Sequence, residues 1–190
     1  MNYKKILPLL SAVLVIAATA ADGPKGKKET AQHLQDISVT IKAEDGHNRS
    51  EGSGVLITRK IEGQGVTFVW TAAHVVDNLR NVRSVVDESG MSKKVVEFGD
   101  AQIVKELVER GRRVGEMKMD ARVLKYSDSE HGHDLALLMV RAKNYGKSGA
   151  RFYLNDHEDI VPIGTQLFHV GSLLGQMGAN SMTSGIVSQV

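Results

Sequence analysis

The chain has 190 residues, no cysteine, 42% hydrophobic and 24% charged residues, and a formal net charge of +2. That length holds one domain of ordinary size, or one and part of another, and the balance excludes a disordered or wholly membrane-embedded chain. A disulfide framework and a thiolate metal site are excluded outright.

Residues 1–20, "MNYKKILPLLSAVLVIAATA", set Lys4 and Lys5 before an apolar run that closes on Ala18-Thr19-Ala20. This order is that of a secretory signal peptide cleaved after Ala20. An uncleaved anchor is the poorer reading, because the run contains Pro8 and is shorter than the ~20 residues of a spanning helix. Without Lys4 and Lys5 the chain keeps 22 basic and 22 acidic residues, so nothing marks it as a nucleic-acid binder. Export to a periplasm or the exterior, with no stable membrane insertion after cleavage, is expected.

Residues 21–35 are polar and punctuated by Gly23, Pro24 and Gly26, which predicts a flexible tether with a helical turn over 30–36. From residue 36 the period changes to two. "ISVTIKA" alternates Ile37, Val39 and Ile41 with polar partners, the signature of a strand with one buried face. "SGVLIT", "GVTFVW", "VRSVV", "KKVVEF", "MDARVLKY" and "DLALLMV" follow as further strands between turn residues. "AQIVKELVERGRR" suits a helix as well as a strand, and its neighbours favour a long twisted hairpin arm. "IVPIGTQLFHVGS" and "NSMTSGIVSQV" form a second strand-like set that stops at Val190 inside a strand, as a shortened chain would. The class is all-β.

The chemistry centres on His74, in "WTAAHVV". Taken alone it is as readily a core histidine as a functional one, although the small neighbours Ala72 and Ala73 leave room for a reacting group. Asp134 opens the apolar run "DLALLMV", where a carboxylate needs a hydrogen-bond partner, and an imidazole Nδ1–H is such a partner. An Asp holding a His in one tautomer leaves Nε2 free to take a proton from a hydroxyl. His before Asp, 60 residues apart with strands between, suits a β-barrel protease and not an α/β-hydrolase. "HGHD", residues 131–134, offers His131, His133 and Asp134 to a metal, but neighbours in one turn seldom converge on an ion, and no metal or other cofactor is expected. His157 and His169 read as surface and structural residues, and Met117, Met119, Met139 and Met182 as core filling and turns.

The blocks "GSGVLI" (52–57), "TAAHVV" (71–76), "DLALL" (134–138), "GSLLG" (171–175) and "SMTSGIVS" (181–188), in this order, resemble those of the trypsin-like serine proteases, most nearly the bacterial HtrA/DegP branch. The likeness runs over residues 36–190. It implies a double six-stranded β-barrel, the first barrel in 36–145 and part of the second in 146–190. It also implies His74 as general base, Asp134 as its orienting acid, and protein or peptide substrates. The family's "GNSGG"-type nucleophile turn does not occur. Ser172 and Ser181 lack the paired glycines that let N–H groups converge on an oxyanion. The expectation is therefore an exported serine endopeptidase whose nucleophile lies beyond Val190, leaving this chain inactive. The alternatives are a non-catalytic scaffold of protease type and a secreted metal-binding β-domain.

Overall fold

The structure is a computed structural model that describes residues 24–46, 48–110, 112–146, 149–150, 161–173 and 178–189. The expected signal segment, 1–20, lies outside them, as does His157. Residues 1–33 and 34–190 form two compact units. Helix α1 spans Pro24–Ile37, so the stretch expected as a tether with one helical turn is helical from Pro24 onward. The reason is in its residues: proline is favoured at the first helical position, and Glu29, Ala31, Gln32, Leu34 and Gln35 are good helix formers. In the unit 34–190, the Ser38 hydroxyl donates to the Leu34 carbonyl at 2.7 Å, closing the last turn. Among the described residues no helix is long and apolar enough to cross a membrane.

Among the described residues the protein is mostly β beyond this point, and a six-stranded sheet closes on itself. Strands β1 (Ser38–Asp45), β2 (Asn48–Ile61) and β3 (Gln64–Thr71) form a meander. After β4 (Arg80–Val86) and β5 (Ser92–Phe98) come β6 (Asp100–Glu109), β7 (Arg112–Ser127) and β8 (Leu135–Val140). The antiparallel order β1-β2-β3-β8-β7-β6 is closed by β1 against β6, with Ile41 opposite Ile103. The described part of the ambiguous stretch 101–113 is β6 and the start of β7, two strands paired from Asp100↔Arg122 to Glu109↔Arg112. Among the described residues strands β4 and β5 pair only with each other, as do β9 (Gln166–Leu173) and β10 (Gly178–Ile186).

A six-stranded barrel is narrow, so its interior must alternate large and small side chains. The buried set does this: Ile41, Leu56, Val69, Ile103 and Leu138 interleave with Ala43, Ala101, Ala121 and Ala136. The inward phase of β2 also explains the glycines of "GSG". Gly52 and Gly54 stand four and two residues before buried Leu56, and a Cβ on Gly52 would run into the Val75 side chain. Glycine there lets the turn that carries His74 seat against β2. Met119 packs on this core, but Met117 and Met182 are exposed, so core filling does not account for those two.

Candidate active site

His74 sits in a short 3-10 turn, Ala73–Val75, directly after β3, and a second such turn, Asp77–Leu79, follows. Four apolar side chains anchor the pair of turns: Ala73, Val75, Val76 and Leu79 are all buried. His74 points the other way, with its side chain 63% exposed. Polar bonds tie the turns to the barrel. The Thr71 hydroxyl donates to the Ser53 carbonyl at 2.8 Å, and the Asn78 amide donates to the Ala43 carbonyl at 2.8 Å. The sequence "TAAHVVDNL" is thus an anchor around one outward imidazole.

Asp134 meets that imidazole from the other side of the chain. Its Oδ2 lies 2.8 Å from Nδ1 of His74, and its Oδ1 accepts the backbone N–H of the same residue at 3.0 Å. One carboxylate therefore fixes both the position and the ring orientation of His74. These two bonds, the backbone one first, hold Asp134 below the usual carboxylate range. With Asp134 ionised, Nδ1 carries the ring proton, and the Nε2 lone pair is left for another group. Among the described residues Nε2 has no hydrogen-bond partner. The pair is more open than the apolar run after Asp134 suggests, because Leu135 is itself exposed and the Asp134 side chain is 35% exposed.

The turn that presents Asp134 is built locally. Asp128 accepts N–H bonds from Glu130 at 3.1 Å and His131 at 2.6 Å, the Ser127 hydroxyl accepts the His133 N–H at 2.9 Å, and the Asp128 carbonyl accepts the Asp134 N–H at 3.2 Å. Asp134 itself has φ of +50°, a region that aspartate tolerates better than most side chains. Gly132 is required by space: a Cβ there would strike the Ser127 hydroxyl and lie 2.7 Å from the Asp128 carbonyl oxygen. Gly132→Ala is accordingly expected to cost about 1–3 kcal/mol of stability, the range for overpacking, and to weaken the Nδ1–H resonance of His74 in proton NMR spectra. An unchanged melting temperature and resonance would show that the turn does not hold the acid.

A second support was not read from the sequence. The Tyr126 hydroxyl donates to Asp77 Oδ1 at 2.6 Å, pinning β7 to the second turn after His74. Burial, and then this bond, push the Tyr126 phenol up to about 12. Nothing in the alternation of "MDARVLKY" reveals that partner, whereas the Asp-Ser dipeptide at 128–129 is a legible turn signal.

The other residues singled out in the sequence do not join the pair. His131 and His133 lie in the Asp128 turn, where His131 Nδ1 is 3.6 Å from Asp128 Oδ1. Among the described residues no group of three or more acidic or histidine side chains is placed to hold a metal ion. Ser181 is in the β9–β10 ladder opposite Gly171, and the Ser172 backbone belongs to β9. Successive N–H groups of an extended strand point to opposite sides and cannot converge on one oxyanion. His169, expected as a structural residue, is exposed on β9, with Nε2 3.3 Å from where a Gly171 Cβ would stand. No protein-family model matches the chain, and no curated protein matches it.

Proposed function

We propose that this chain carries the acid–base half of an exported serine endopeptidase of the trypsin-like class. His74 is the general base, Asp134 orients it, and the nucleophilic serine lies in a downstream turn of "GNSGG" type that this sequence does not contain. The observation that carries the reading is the grip of one carboxylate on both the N–H and Nδ1 of a single outward histidine. A core histidine has no need of that arrangement, and a metal ligand, which can share it, would need companion ligands that are not grouped among the described residues, whereas a relay uses it as it stands. The closed barrel of β1–β3 and β6–β8, followed by the separate β9–β10 pair, supports the finer reading of a double barrel with its second half begun in 146–190.

The proposed chemistry follows from the free Nε2. It takes the serine Oγ proton as the oxygen attacks the scissile carbonyl carbon, and the imidazolium that forms is stabilised by the Asp134 carboxylate. The same Nε2–H then passes to the departing amine, releasing the first product and leaving an acyl-serine. Water repeats the sequence, giving its proton to Nε2 and its oxygen to the acyl carbon, and serine is restored.

The 190-residue chain is expected neither to hydrolyse a protein substrate nor to be labelled by a fluorophosphonate, which reacts with an activated serine. Protein expressed from a reading frame that continues past Val190 through such a turn is expected to do both. Labelling of the 190-residue chain at Ser172 or Ser181, located by mass spectrometry, would overturn the nucleophile assignment. A continued frame that yields neither behaviour would make the protein a non-catalytic scaffold.

A further inference from the structure

The β4–β5 hairpin stands outside the barrel and, with β7, encloses an open groove of about 790 Å³. This lies within the roughly 300–1,000 Å³ typical of ligand clefts. Its floor is aromatic: the Phe98 and Tyr126 ring centroids are 5.1 Å apart, and the Arg80 guanidinium lies 5.7 Å from the Tyr126 centroid. Val96 and Val123 extend the apolar lining, and Val96, on β5, is left 47% exposed.

Charge is what makes this groove more than an uncovered surface. Arg80, Arg122 and Lys125 line it, and among the described residues none of the three has a carboxylate within salt-bridge distance. The two acids of the lining are already engaged. Glu97 takes two bonds from Arg83, at 3.0 and 2.6 Å, and Asp128 takes the N–H groups of Glu130 and His131. Several basic residues of the barrel strands are paired, Arg49 with Glu44, Arg113 with Glu106, Lys118 with Glu116 and Arg141 with Asp100 at 2.5 and 2.8 Å. Three cations with no carboxylate partner among the described residues, spaced around an aromatic and aliphatic floor, are complementary to a chain that alternates carboxylates with apolar side chains.

We infer that the groove between β4–β5 and β7 binds an extended acidic polypeptide segment, carboxylates on Arg80, Arg122 and Lys125 and apolar side chains over Phe98 and Tyr126. The groove borders the site already described, since Tyr126 bonds Asp77, three residues past His74. The inference concerns binding, and it stands whether or not the relay is catalytic.

The test is fluorescence anisotropy on the full chain with a fluorescein-labelled peptide of alternating Glu and Leu, beside its Gln–Leu and Lys–Leu counterparts. The acidic peptide alone is expected to bind, and to weaken as salt is raised. The double variant Arg122→Ala/Lys125→Ala, both positions exposed, is expected to lose about tenfold in affinity, two exposed charge pairs at most. The charge-conserving Arg122→Lys/Lys125→Arg is expected to keep it, and His74→Ala to bind as the unaltered protein does, which separates this outcome from the fate of the relay. Equal binding of the Gln–Leu peptide, or full binding by the double alanine variant with an unchanged circular-dichroism spectrum, would overturn the inference. So would displacement of the acidic peptide by an equal concentration of single-stranded oligonucleotide, which would make the cations a phosphate site.

Discussion

If the proposed relay operates, then in protein expressed from a frame that supplies the nucleophile turn Asp134→Asn is expected to lower kcat by about four orders of magnitude, the loss the same change produces in a trypsin-type enzyme, with the fold intact. The geometry says why the effect is so large for one atom. Asp134 accepts two N–H groups of His74 at once, through Oδ1 and Oδ2. Asparagine offers one acceptor oxygen. If that oxygen keeps the main-chain N–H, the amide NH2 faces Nδ1, which must then accept, and the ring proton moves to Nε2. The base is then occupied where the serine proton has to arrive. If the oxygen instead keeps Nδ1–H, the backbone N–H of His74 faces a donor and the turn must shift. Steady-state kinetics on a peptide substrate decide the matter: KM near that of the unaltered protein with kcat collapsed is the signature of an interaction made in the transition state. A loss smaller than tenfold would remove Asp134 from the relay.

The strands were legible because they alternate, while their closing into a barrel was implied only by the family resemblance. "ISVTIKA" sets apolar residues at every second position, and Val39, Ile41 and Ala43 are buried as that phase requires, whereas in "GVTFVW" the buried phase is Thr67 and Val69 and not the apolar Val66, Phe68 and Trp70. Alternation does not say what covers a face, however. "VRSVV" and "KKVVEF" are strands, yet they pair apart from the barrel, and Val82, Val86 and Val96 stay exposed. The same limit applied to Asp134. Its place before "LALLMV" suggested a costly buried carboxylate, and the need for a partner was inferred from that. The partner is there at 2.8 Å although the burial is only partial, because β8 is buried only from Ala136 onward. The helix over 24–37 reaches further than the turn expected over 30–36 for a different reason, since Gly23, Pro24 and Gly26 read as breakers while proline at a helix start is an initiator. Tertiary partners such as Tyr126 for Asp77 have no one-dimensional signal at all.

The second large effect is on stability, and it tests the inside and outside of the strand that delivers Asp134. Leu138 is fully buried, opposite Val69 of β3 on one side and Val123 of β7 on the other, while Leu135, three residues earlier, is 46% exposed. Leu138→Ala should therefore cost about 2–5 kcal/mol, the transfer of the lost carbons plus a cavity the narrow barrel cannot collapse to fill. That is a large share of the roughly 5–15 kcal/mol that holds a domain folded. Leu135→Ala should fall within about 0.5 kcal/mol of zero. Urea unfolding separates them, with the midpoint lowered for Leu138→Ala and the slope unchanged. The consequence reaches the site, because Val69 lies five residues before His74 and Leu138 four after Asp134, so this one cross-strand pair clamps both chain segments that meet at Nδ1. The Nδ1–H resonance should accordingly disappear at the same urea concentration as the barrel signal in each protein, as for one cooperative unit. Equal costs for Leu135 and Leu138 would mean that the phase of β8 is wrong, and the placement of Asp134 against His74 would fall with it.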